Sequence, residues 1–416
     1  MKRGRTLAIS GLSLLVALAA GPADAWAQGT PCSGLPNPVF MGGTTAVLPV
    51  IRLFGARLKD VGITLLWNES SEGCTGVAQM IKPAESGRPV FSSYTALDST
   101  PNTKTTTTTC NGIQNQPLDL VINDVYWSSC IQSSEPGNTL DSAGIKEFLG
   151  PVQGVVPVVP NSYLYYDSIT APELQNLYIC GAKGRILTFT TDSTIFEMVP
   201  CDGSGFRSLF GRTIGLTRGL PNTIRCGGEN IGASSMIDKV GSSTTPDTAV
   251  GYTSTEFYDE SRDKVRALKV RGINQNQAYL PDSSIGLADK INIREGRYTL
   301  QGSLKLLTKV DASGVPTNPM VKKMLDWMQD NPLSDLSLAL PFDLNQIYAT
   351  RGVVPQCAMR VTKDSDQLGF RHYRHPRPCH CSFDMLATGK SSASCTPCVD
   401  ASTCGAGQQC SHGYCE

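Results

Sequence analysis

The chain has 416 residues, 40% of them apolar and 17% charged, and its 36 basic and 36 acidic residues cancel. That balance excludes the concentrated basic face that nucleic acid calls for, and the length suffices for two domains and an appendage. The N-terminus reads as an export signal over residues 1–27, with a basic head (Lys2, Arg3, Arg5), the 14-residue apolar stretch Leu7–Ala20 and a small-x-small cleavage site at Ala25-Trp26-Ala27. The stretch is shorter than a bilayer span, so the expectation is a soluble exported protein, periplasmic or at the cell surface. All fifteen cysteines lie beyond the signal, where an oxidising compartment pairs most of them and the odd number leaves at least one over.

In chain order, Val39-Phe40-Met41 leads into the glycine turn Gly42-Gly43-Thr44-Thr45, and Val47, Val50, Ile51, Phe54 and Leu58 share one helical face behind it. Pro49 falls in that helix's first turn, where its missing N–H has no helical partner. Ile63–Trp67, Leu118–Ile122 and Val155–Val159 read as short buried strands, and Thr103–Thr109 as a surface loop. Ile195–Val199 leads into a second glycine turn, Asp202-Gly203-Ser204-Gly205, about 160 residues after the first. Each turn is poised to open a helix, whose unpaired N–H donors and positive dipole end suit a small anion. Val321, Leu325 and Met328 mark a late helix, after which the alternation of strand and helix typical of an α/β sheet ends.

From Cys357 onward eight cysteines fall within 60 residues that carry few large apolar side chains, so cross-links must restrict the unfolded state there. Zinc is the alternative, through Cys379-His380-Cys381, His372, His375, Cys395 and Cys398; export favours disulfides, among 105 pairings that the spacing does not separate. All four histidines lie in this tail. Residues 28–356 therefore hold no histidine for a triad, a dyad or a metal site, and no phosphate-loop motif or nucleophile elbow is present. Binding is favoured over catalysis, and no cofactor is expected.

The two glycine turns and the order of the segments around them resemble the phosphate-binding component of bacterial phosphate ABC transporters. Further matching pieces are Ser168–Tyr178, Ala249–Tyr252 with Val265–Val270, and Glu295–Leu300 through Met324–Trp327; together they span residues 36–330. The resemblance implies a two-lobed periplasmic-binding-protein type II fold. Lobe 1 would take 28–150 and 282–340, lobe 2 would take 151–281, and a cysteine-rich module would follow from 341 to 416. It also implies a ligand set: Gly43, Thr44 and Thr45 at one helix start, Ser70, Ser71, Gly73 and Thr75 in a loop, Ser204 and Gly205 from the second lobe, and Asp124 as the carboxylate. An ionised carboxylate only accepts hydrogen bonds, so Asp124 would welcome a proton-bearing phosphate and repel sulfate.

Each residue also has a plainer reading: Gly42-Gly43 as a strand-to-helix turn, Ser204 as a helix cap, Asp124 as a loop carboxylate receiving a neighbouring N–H. The chain also departs from the family, with Pro200 where an arginine precedes the Asp-Gly-Ser-Gly run, Phe206 where a threonine follows it, and Cys74 within the loop. Two expectations result. One is an oxyanion-binding protein, partnered by transporter membrane subunits; the other is a surface structural or adhesion protein with a degenerate site and a tail that meets a cell-surface partner. Truncation after Leu340 is expected to leave the two-lobed body folded.

Overall fold

The computed structural model describes residues 30–68, 71–81, 90–97, 105–130, 139–178, 196–198, 204–216, 229–231, 233–329 and 340–416. The export signal, Ser70, Asp202, Gly203, Pro200 and three cysteines (Cys180, Cys201, Cys226) lie outside the described residues. Among the described residues no helix is long and apolar enough to cross a membrane.

The first half of the chain runs β1 (Pro38–Gly43), α1 (Leu48–Leu58), β2 (Thr64–Trp67), α2 (Gly73–Ile81), β3 (Val90–Leu97), β4 (Thr105–Gln114) and β5 (Leu120–Asn123). β1 lies between β5 and β2, parallel to both, and β3 and β4 extend the sheet antiparallel beyond β2. The threonine run is therefore not a loop: Thr105–Thr109 pair with Leu97–Ser93, since β-branched side chains fit a pleated surface.

The strand expected at Val155–Val159 is the second part of a much longer one, β6 (Ile145–Pro160). After it come β7 (Ser168–Thr170), α3 (Ala171–Tyr178), β8 (Phe196–Met198), α4 (Gly205–Thr213), β9 (Glu229–Ile231), α5 (Ala233–Gly241), β10 (Gly251–Ser254), α6 (Thr255–Asp259), β11 (Val265–Ala267) and β12 (Lys269–Arg271). The chain then returns through α7 (Ile291–Arg294), β13 (Gln301–Lys309) and α8 (Pro319–Met328). β6 belongs to both groups: its residues from Ile145 to Gly154 pair with β13, which also pairs with β5, and Val155 to Pro160 pair with β10 and β11. The fold is α/β, and β6 runs through one nine-stranded sheet, its two parts pairing with different neighbours.

Alternate strand residues face two hydrophobic clusters, as the period of two requires. Val39, Met41, Leu120 and Ile122 point to the cluster that takes the apolar face of α1 and Val321, Met324, Leu325 and Met328 of α8. Phe40 and Val121 point the other way, to the cluster shared with the second group.

Beyond Leu340 the chain does not stand apart. α9 (Leu344–Thr350) buries Leu344, Ile347 and Tyr348 in the same cluster as α1, Val353 joins them, and Val354 bridges to Val152 of β6. A short hairpin, β14 (Val361–Thr362) with β15 (Arg371–His372), and α10 (His380–Thr388) follow. The fully buried Arg294 of α7 pairs with Asp384 of α10 and donates to the Ala358 and His380 carbonyls. The expectation of an appendage starting at 341 is thus corrected: large apolar residues between 344 and 354 were available to extend the core, and they do.

Six disulfides join the described cysteines: Cys32–Cys110, Cys74–Cys130, Cys357–Cys379, Cys381–Cys395, Cys398–Cys410 and Cys404–Cys415. All eight tail cysteines are paired, which removes the thiolates that the zinc reading needed. Burial first and then the Arg294 charge push the His380 pKa down to about 4, and its Nδ1 faces the Ala358 carbonyl.

Candidate oxyanion site

β1 ends against β5 so closely that only glycine fits. Gly43 has φ 125°, and a Cβ there would collide with the Ile122 carbonyl. That approach lets the Thr44 N–H donate to Ile122 O at 2.8 Å. The Thr44 hydroxyl accepts from Ala46 N at 3.2 Å, opening a 3-10 turn over Thr45–Val47 before α1 begins.

The start of α1 is engaged within the protein. Leu48 N–H closes onto Thr45 O, Pro49 has no N–H, and Val50 N–H donates to Glu256 Oε1 of α6 at 2.7 Å. Glu256 is fully buried, and its carboxyl is pushed well above its ordinary range, by burial first, with the Val50 N–H and the Arg351 charge opposing. The Thr44 and Val50 N–H donors are thus taken within the protein, while the Thr44 side chain acts on Asp124. Thr45 is solvent-exposed.

Two other helix starts converge on the end of β5. Gly73 opens α2 and Gly205 opens α4, and a Cβ on either would overlap Asn123 Oδ1; at Gly205 it would also stand 2.7 Å from Asp124 Oδ2. Ser204 caps α4, its hydroxyl accepting from Arg207 N at 3.2 Å, which is the plainer of its two expected roles. Among the described residues Ser71 Oγ is buried without a partner, and it lies against Gly42 and Gly76, where a Cβ would approach to 2.7 Å. Thr75 sits half-buried in the first turn of α2, with no hydrogen bond that ties it to Asp124.

Asp124 is fully buried at the centre of this arrangement. Gln153 Nε2 of β6 donates to its Oδ1, and its Oδ2 accepts no hydrogen bond of normal geometry. Burial pushes the carboxyl up to about 7, against the opposing influence of the Thr44 and Gln153 side chains. A half-ionised carboxyl with one open oxygen, next to two helix starts, can accept from or donate to a small polar ligand.

Asn123 and Gln153 were not anticipated. Gln153 is the one uncharged polar side chain amid the apolar run Pro151–Pro160, and a lone amide in a strand buried on both faces is itself a signal. Asn123 precedes the chosen carboxylate, so its proximity was legible but its direction was not. The glycine demand is testable at Gly205: Gly205→Ala forces a methyl into Asn123 and Asp124, and an equilibrium urea titration should show a loss of about 1–3 kcal/mol. Unchanged stability would mean that α4 does not approach β5 this closely.

No protein family description matches the chain, and no curated protein does. Solved structures resemble it loosely. A protein described as a phosphate ABC transporter substrate-binding protein, with bound phosphate, from Clostridium perfringens is 13% identical over 77% of this chain and 99% of its own, at TM-score 0.46. An ABC-type phosphate transport receptor from Vibrio cholerae is 16% identical over 76% and 99%, at TM-score 0.43. The OxyR regulatory domain from Pseudomonas aeruginosa is 10% identical over 70% and 95%, at TM-score 0.35. Likeness this loose fixes neither fold nor ligand, so the architecture above rests on the strand pairing itself.

Proposed function

We propose that the chain is an exported solute-binding protein that holds a small oxyanion, phosphate first among candidates, between the starts of α2 and α4. The observation that carries this reading is Asp124 Oδ2: a buried carboxylate oxygen beside Gly205 that accepts no hydrogen bond of normal geometry among the described residues. Such atoms are costly unless a ligand completes them. α2 and α4 lie on either side of β6 in the sequence, so a ligand between them would couple the two pairing groups. Transporter membrane subunits are the partners that this mode of capture calls for, and six disulfides fit an oxidising destination. No chemistry on the ligand is proposed.

One observation favours a second reading. α1's start is engaged by Glu256, and the Cys74–Cys130 disulfide closes the first turn of α2 onto the loop after β5, as in a fold retained for structure alone. Calorimetry separates the two. Phosphate binding with sulfate excluded at pH 8 supports capture, whereas neither anion binding at millimolar concentration supports the structural role.

A further inference from the structure

Asn123 occupies the point at which the two helix starts meet. Its Oδ1 is wedged between the Cα atoms of Gly73 and Gly205, and it accepts the Asp124 N–H at 3.0 Å. An oxygen carrying partial negative charge thus sits beside the starts of α2 and α4 and takes the Asp124 backbone N–H. The other end of the amide is held only weakly: Nδ2 faces Cys130 Sγ at 3.4 Å and Cys74 Sγ at 4.0 Å, and sulfur is a poor acceptor. The side chain is fully buried.

We propose that Asn123 is the resident occupant of the oxyanion site and that a ligand enters by displacing its amide, so that this residue sets the affinity. The inference rests on the oxyanion reading and adds a built-in competitor to it. Displacement forfeits two weak contacts to sulfur and hands the Asp124 N–H to the incoming oxygen. The Cys74–Cys130 bridge positions the competitor, since its two sulfurs are the Nδ2 partners. Glycine at both 73 and 205 is what leaves room for the amide.

The test titrates the full, oxidised chain with inorganic phosphate by calorimetry at pH 8, comparing wild type with Asn123→Ala and Asn123→Ser. Neither replacement reaches the junction with an amide oxygen, so both should bind phosphate about tenfold more tightly, a change of 1.4 kcal/mol. Wild type and variants binding equally would overturn the inference and leave the oxyanion reading standing. Cooperatively melting variants and wild type that all fail to bind would overturn both. In the wild-type chain, the Asn123 side-chain NH2 resonances should move as phosphate saturates. Resonances that stay fixed would overturn displacement even where the variants do not fold.

Discussion

A chain ending at Leu340 should show no cooperative melt. The cut removes Leu344, Ile347, Tyr348 and Val353 from the cluster that covers α1 and α8, and at about 1.5–3 kcal/mol for each large side chain the loss is on the order of 6–12 kcal/mol. That is comparable with the whole net stability of a typical domain, about 5–15 kcal/mol. Polar support goes with it. Gln356 no longer donates to Gly150 O, Arg294 is left buried without Asp384, and Asp366 no longer receives the Tyr126 N–H and the Ser129 hydroxyl, each at 2.7 Å. An uncompensated buried charge alone is strongly destabilising. Ending the chain after Gly389, with Cys381→Ser to remove the thiol stranded by loss of Cys395, spares all of these contacts and should keep a cooperative melt. Circular dichroism on the two truncations decides the matter. A sharp transition in the shorter one within a few degrees of the full chain would make everything past 340 an appendage after all.

This reversal shows where the sequence was legible and where it was not. The apolar stripe Val47, Val50, Ile51, Phe54 and Leu58 gave α1 and its buried face, and Val321, Leu325 and Met328 gave α8, because period and burial coincide in both. The glycine turns did mark close approach: Gly43 admits the Ile122 carbonyl, and Gly205 admits Asn123 and Asp124. Hydrogen-bond allegiance is a tertiary property: no local pattern could tell that Glu256, more than 200 residues away, takes the Val50 N–H. In the tail the density of cysteine beyond 379 dominates the composition, while the fold is extended by the ordinary apolar residues of α9. A family resemblance points to Asp124, whereas its burial together with Asn123 comes from α2, α4 and β5 lying side by side, which no local pattern encodes.

Acidification should stabilise the wild-type chain through Asp124 and at the same time admit sulfate. The carboxyl has an ordinary value of 3.8 and is pushed up to about 7 by burial, so the folded protein holds this proton more tightly than the unfolded chain does. Its contribution is then fully present below about pH 4 and is lost as pH rises to 7; three pH units correspond to about 4 kcal/mol. Asp124→Asn has no proton to release, so its urea midpoint should lack this descent. Subtracting the two pH profiles cancels the other acids whose carboxyls burial raises, Glu256, Asp119, Glu147 and Glu416. Parallel profiles from pH 4 to 8 would show that Asp124 is not the group responsible. The same proton governs selectivity. Above pH 7 the ionised Asp124 accepts only, which suits phosphate, a proton carrier at either extreme, and repels sulfate; below pH 7 the neutral acid can donate to either anion. Calorimetry at pH 5.5 and 8.5 should find sulfate binding to wild type only at the lower pH, and to Asp124→Asn at both. A variant that still excludes sulfate at pH 8.5 would remove Asp124 from the site, because an amide in that position has a donor to offer and no charge with which to refuse.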